Sequence, residues 1–247
     1  MNLFNRLMDV IYPPRCSICR EFLFKDPLMG ENRSLSFCRT CYADFREIDS
    51  PLCPICSRPF YDGVEEDHLC EECLRKRPFY DAALVPYLYQ GALMKAVHQF
   101  KYGAKAFLAA SLGPLLAQFA QRHVKASNDF LTMPVPLHPR RLRQRGFNQS
   151  LLLARHLAEG LDTDLDFLSL RRVKYTLPQT GLGKEERRKN MRNAFRLMDP
   201  KAAKGKFILL VDDVATTGNT LNACAKALKR SGARKVLCLV LAKAGSF

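Results

Sequence analysis

No run of eighteen apolar residues occurs anywhere in the 247-residue chain, so no segment has the length to cross a bilayer as a helix. The opening residues, Met1 to Pro14, lack the basic leader, the continuous apolar stretch and the small-residue cleavage site of a secretory signal. Together these absences predict a cytoplasmic protein. There is no helix-turn-helix or comparable groove reader, so specific readout of bases in a duplex is unsupported. Apart from paired cysteine units there is no internal repeat and no low-complexity tract. Disorder by composition is excluded as well, because 47% of residues are apolar and only 26% are charged. The length suits one large or two modest domains.

Acidic residues are scarce in one part of the chain only. Residues 1–80 carry 11 basic and 13 acidic side chains, a net of −2, whereas residues 81–247 carry 28 and 11, a net of +17. A polyanionic partner is therefore expected for the second part alone. On charge by itself, a solvated basic surface accounts for the excess equally well.

Eight of the ten cysteines precede residue 74 and form four Cys-x-x-Cys pairs, Cys16/Cys19, Cys38/Cys41, Cys53/Cys56 and Cys70/Cys73. A disulfide framework needs an oxidising compartment, and no export signal accompanies these pairs. The spacing instead matches the four-thiolate site of a structural zinc ribbon, used twice. Sequential pairing closes two local units; a crossed arrangement of alternate pairs stays open. His68 lies next to this set, but the cysteine count is already complete and it reads as a surface residue. Cys224 and Cys238 stand alone in apolar surroundings and read as buried thiols.

Along the chain, Leu3, Phe4, Leu7, Met8 and Ile11 fall on one helical face. Arg6 is the only basic residue of that stretch, which favours packing on the neighbouring ribbon over contact with the inner membrane surface. Few apolar residues lie between the knuckles, so metal is expected to replace a core there. The ribbon region ends near Arg77-Pro78, which gives a predicted double zinc ribbon over 1–78 and a second domain over 79–247. In that second domain, strands are predicted over 83–89, 132–136, 206–212 and 235–242, with helices over 91–101, 107–123, 148–160 and 219–231. A polar loop covers roughly 177–193. Alternation of this kind is the signature of an α/β fold with a mainly parallel, doubly wound sheet.

The most informative local string runs from Phe207 to Leu221. Five apolar residues suit a central strand buried on both faces. Two carboxylates, Asp212 and Asp213, follow at its expected end, and then comes a loop of hydroxyls with one glycine. Leu221, Cys224, Ala225 and Leu228 have the spacing of a packed helical face. That places Ala215, Thr216, Thr217, Gly218, Asn219 and Thr220 at a helix N-terminus, where free amides and the helix dipole favour an anion. Two carboxylates would repel a phosphate unless they face sugar hydroxyls or a magnesium ion. The plainer reading makes Asp213 a helix cap and leaves Asp212 solvated. The string Val-Asp-Asp-x-x-Thr-Thr-Gly-x-Thr resembles the signature of type I phosphoribosyltransferases. That resemblance implies that the acidic pair holds the ribose hydroxyls and the loop holds the 5-phosphate.

Three further strings narrow the resemblance. Arg140, Arg141, Arg143 and Arg145 stand close together, followed by Gly146-Phe147-Asn148-Gln149; arginine forks suit a diphosphate or a nucleic-acid backbone. A helical segment ends in Lys101-Tyr102-Gly103, and Arg172, Thr176, Gln179, Leu182, Arg187, Asn190 and Phe195 punctuate a polar loop. In this order, behind paired ribbons, the strings resemble the ComF family over essentially the whole chain. The resemblance implies a type I phosphoribosyltransferase-like sheet behind a double zinc ribbon, with two structural zinc ions. It implies magnesium with phosphoribosyl diphosphate as ligand, a diphosphate loop near Pro136–Arg141 that includes Arg140 and Arg141, and a lid near Thr180–Asn190 that includes Arg187. It also implies competence, that is, handling of single-stranded DNA during uptake in natural transformation, with DNA-uptake or recombination machinery as partners. Between Arg140 and Arg196, 14 basic residues face 6 acidic ones, and Phe147, Phe167, Tyr175 and Phe195 are available for base stacking. An active phosphoribosyltransferase of undefined acceptor and a phosphoribosyl diphosphate sensor remain open beside the DNA-handling role.

Overall fold

The apolar run after Lys206 becomes the middle of a nine-residue strand in the computed structural model, where Ile208, Leu209, Leu210 and Val211 are all fully buried. The structure describes residues 12–23, 36–61, 63, 65–103, 105–124, 130–175 and 193–245. The expected helix over Leu3–Ile11 and the expected lid with Arg187 lie outside the described residues.

Six strands form one sheet: β1 (Ala82–Leu84), β2 (Tyr87–Leu88), β3 (Phe130–Pro134), β4 (Asp164–Leu165), β7 (Phe207–Ala215) and β8 (Lys235–Lys243). Their order is β1-β8-β7-β3-β4, with β2 also on β8, and every pairing is parallel. The two remaining strands, β5 (Leu170–Arg172) and β6 (Phe195–Leu197), pair antiparallel beside it. The helices are α1 (Arg39–Ala43), α2 (Glu71–Arg75), α3 (Gly91–Tyr102), α4 (Ala109–His123), α5 (Pro139–Arg145), α6 (Gln149–Leu161) and α7 (Asn219–Arg230). The sheet is thus the parallel, doubly wound architecture expected from the alternation of strands and helices, and it fits the type I phosphoribosyltransferase-like fold that the resemblance implied.

Side chains alternate across a strand, and β7 shows what each face meets. Leu209 and Val211 join an apolar cluster with α3, α4 and α6, and Cys16, Phe37, Cys41 and Phe45 of the first ribbon belong to the same cluster. Ile208 and Leu210 join the opposite cluster, which holds α7, the β5–β6 pair and Cys53, Ile55, Cys70 and Cys73 of the second ribbon. Each ribbon therefore completes one face of the sheet. Metal is not their only support, as the scarcity of apolar residues between the knuckles had implied; the ribbons share the core of the sheet.

Some boundaries move for clear reasons. The single strand expected over 83–89 is split into β1 and β2, because Pro86 has no amide to donate. Its carbonyl instead accepts from the Ile48 amide at 2.8 Å, tying the chain between the ribbons to the sheet edge. The strand expected over 206–212 runs on to Ala215, so Asp213 as well as Asp212 lies inside β7. Pro139 to Arg141 belong to α5 and not to a loop; Pro139 opens the helix, and the His138 ring nitrogen caps it by accepting from the Arg140 amide at 3.2 Å.

Candidate functional site

The carboxyl end of β7 runs into a three-residue bend, Thr216 to Gly218, before α7 begins. Gly218 takes φ +69, a left-handed conformation open to glycine at little cost. No side chain caps the helix there, so its first amides keep their donor capacity. Residues Asp212 and Val214 to Leu221 line a small, partly open pocket around these amides. The Thr217 hydroxyl is buried and has no hydrogen-bond partner among the described residues. A buried polar atom left unpaired costs free energy, and an anion in this pocket would satisfy it.

The two carboxylates are separated rather than paired. Asp212 lines the pocket and accepts from the Ser150 hydroxyl at 2.8 Å and from the Asp213 amide at 3.0 Å. Asp213 turns to the other side and binds the Lys101 ammonium at 2.9 Å. Burial, and then the neighbouring Asp213 charge, push the Asp212 carboxyl up to about 7. Burial acts to lower the Lys101 ammonium, but the pairing with Asp213 outweighs it and leaves its pKa raised. Lys101 and Ser150 were not singled out in the sequence as site residues. Lys101 was visible only as the first residue of the Lys-Tyr-Gly string, and Ser150 only as the residue after the Asn148-Gln149 pair.

The arginines are divided in a similar way. Arg140 is exposed and lies over the Tyr175 ring at 4.8 Å, while Arg145 lies over the exposed Tyr102 ring at 5.1 Å. Arg141 is half-buried and close enough to Arg172 to depress it, after burial itself, while Asp212 acts the other way on Arg172. Arg172 lies over the Phe195 ring at 5.4 Å and is not among the residues that line the pocket. Of the four aromatics considered for stacking, Phe195 is buried in the core and Phe147 packs on Phe100 at 5.6 Å. Phe167 is exposed and Tyr175 is half-buried.

The eight cysteines form two sites with sequential pairing. The sulfurs of Cys16, Cys19, Cys38 and Cys41 all lie within 4.8 Å of one another, as do those of Cys53, Cys56, Cys70 and Cys73. Four sulfurs about 2.3 Å from a tetrahedral zinc stand about 3.8 Å apart, and the Cys19–Cys38 and Cys56–Cys70 separations are 3.6 and 3.7 Å. Burial raises Cys16 and Cys53, yet backbone amides directed at their sulfurs bring each down to about 7. These are zinc-binding sites by donor type, number and spacing. His68 is exposed, stacked on Phe60 at 3.8 Å, and plays no part in them. Cys224 and Cys238 are fully buried thiols.

Comparison with known proteins agrees with this arrangement. Residues 7–74 match the double zinc ribbon domain, and residues 148–246 match the phosphoribosyl transferase domain. The DNA utilization protein YhgH of Salmonella typhimurium is 36% identical over 227 residues, covering 91% of this chain and 94% of that protein. Competence protein F of Haemophilus influenzae is 31% identical over 252 residues, covering 99% and 100%. Competence protein ComFC of Bacillus subtilis is 28% identical over 207 residues, covering 79% and 78%. Two four-cysteine sites, a phosphoribosyl transferase domain behind them, and relatives matched from end to end establish that the chain belongs to the ComF family.

Proposed function

We propose that the protein binds phosphoribosyl diphosphate with magnesium at the pocket after β7, and that it handles single-stranded DNA entering the cytoplasm during natural transformation. The observation that carries the ligand reading is the buried, unpartnered Thr217 hydroxyl in a loop of free amides. Asp212 lines the same pocket. The loop would take the 5-phosphate, and Asp212, a hard oxygen donor, fits either the ribose hydroxyls or magnesium. Lys101 holds Asp213 away from the pocket, which removes one of the two charges that would repel the ligand. Arg140 and Arg141 on α5 are candidates for the diphosphate, whose oxygens suit arginine forks. Arg187 remains a candidate for the same role.

Phosphoribosyl diphosphate with magnesium is expected to raise the melting temperature, since a ligand of the native state stabilises it by mass action. Asp212→Asn should remove most of that rise; an undiminished rise would mean the carboxylate has no part in binding. A carboxyl that titrates at about 7 in the free protein must ionise to accept from sugar hydroxyls. Affinity should therefore increase by roughly tenfold from pH 6 to pH 8, with a flatter profile in Asp212→Asn.

The DNA reading rests on the basic second domain and on the names of the relatives. Arg140 and Arg143 are exposed on α5; Arg140 lies over the Tyr175 ring, and Arg145 of the same helix lies over the Tyr102 ring. Single-strand affinity is expected to fall by about 0.7 decades per decade of salt for each phosphate neutralised. Reversing Arg140, Arg141 and Arg143 to Glu should flatten that slope with little change in base preference. Absence of single-strand binding by the unaltered protein at low salt would overturn this part of the reading.

A further inference from the structure

We infer that the second zinc ribbon is a working part of the phosphate cradle, and that Tyr80 is the positioning residue that joins the two. The inference rests on the reading that the loop after β7 holds a sugar phosphate.

Cys73 lies within α2, and the chain leaving that helix runs directly onto α7. Three consecutive residues then contact the helix that forms the cradle, or the loop before it. The Phe79 amide donates to Asn222 Oδ1 at 2.7 Å. The Tyr80 hydroxyl rests on Gly218, so close that a Cβ added to that glycine would lie 3.4 Å from it. Asp81 pairs with Lys229 at 2.8 Å and accepts from the Val236 amide at 2.7 Å. Contacts at Gly218, Asn222 and Lys229 fix α7 along most of its length.

Tyr80 also reaches back to the metal site. It is 7% exposed and belongs to the same apolar cluster as Cys53, Cys70 and Cys73. The knuckle holding Cys53 and Cys56 is itself tied to β1, because the Ala83 amide donates to the Ile55 carbonyl at 2.8 Å and the Ser57 hydroxyl donates to the Ala83 carbonyl. The segment from Phe79 to Ala83 is thus tied at one end to α7 and the loop before it and at the other to the Cys53–Cys56 knuckle. The first ribbon provides an internal comparison. Its described hydrogen bonds reach α3 and α4, through Asp44 to Ala92 and Ser36 to Ser111, and none reaches α7.

Coupling between two sites is reciprocal, so ligand at the cradle should be sensed at the second metal and not at the first. The test uses the full chain with cadmium-113 in both sites, each resonance being assigned through its cysteine β-protons, and ribose 5-phosphate as the probe. The expected result is a shift of the Cys53/56/70/73 resonance with an unmoved Cys16/19/38/41 resonance. Tyr80→Ala should weaken ribose 5-phosphate at least fivefold and cancel the shift. Tyr80→Phe, which keeps the buried ring but removes the oxygen that meets Gly218, should restore only part of both. If Tyr80→Ala does not fold, Asn222→Ala removes the neighbouring tie without opening the core, and the same two measurements decide. An unmoved second resonance at saturating ligand, or an unchanged affinity in the folded variant, overturns the inference alone. Failure of the unaltered protein to bind ribose 5-phosphate overturns the ligand reading of the cradle as well.

Discussion

Chelation of both zinc ions is expected to unfold the whole protein in one transition, not the ribbons alone. Structural zinc in small ribbons contributes on the order of 10–16 kcal/mol of apparent folding free energy, against a total stability of about 5–15 kcal/mol for a typical domain. Here the loss would not stay local. Cys16, Phe37, Cys41 and Phe45 belong to one apolar face of the sheet, and Cys53, Ile55, Cys70 and Cys73 belong to the other. Elemental analysis should find two zinc ions per chain before treatment. The helical circular-dichroism signal should then be lost together with the metal. Retention of that signal by metal-free protein would show that the sheet stands without its ribbons.

Lys101→Met is expected to cost about 3–5 kcal/mol in urea denaturation, because it leaves the Asp213 carboxylate buried without its partner. The pair is well sheltered, with 18% and 7% of the two side chains exposed. Adding Asp213→Asn should recover much of the loss, since the uncompensated charge is then gone. Failure of that rescue would mean that Lys101 matters for packing and not for charge. The same neighbourhood sets a pH dependence. The folded-state value of Asp212, about 7, exceeds the ordinary carboxyl value of about 3.9. The stability it contributes is therefore fully present below the ordinary value and is lost as pH rises through 7. Without ligand, the melting temperature should fall across that window, and Asp212→Asn should blunt the fall.

Much of this was legible in the residues, and what was not has a physical reason. The cysteine spacing is local, so it predicted both metal sites and favoured the sequential pairing found in the structure. The β7–loop–α7 string is likewise local, and it folds as the expected strand, bend and helix. Periodicity says nothing, however, about which residues a strand meets across a sheet. The role of Lys101 depends on α3 crossing to β7, and that of Tyr80 on a contact with Gly218 far along the chain. The short helix α5 was missed because its seven residues contain none that is buried, and an unburied helix leaves no apolar stripe to read. The resemblance implied that the acidic pair acts together on the ribose. In the structure Asp212 lines the pocket while Asp213 pairs with Lys101, as the opposite faces of a strand would direct adjacent residues.

The position of β8 has a consequence for how the protein is made. It is the last of the described strands to be synthesised, yet it pairs with β1, β2 and β7 and so lies inside the sheet. A ribosome adding about 5–20 residues per second releases the cysteine knuckles several seconds to half a minute before this strand exists. During that interval the knuckles have only their own thiolates and whatever metal they have captured. The tie from the Val236 amide to Asp81 spans 155 positions, and it cannot form until nearly all the described chain has emerged. Early zinc capture would thus hold the N-terminal knuckles ready, and the final strand would close the sheet between them.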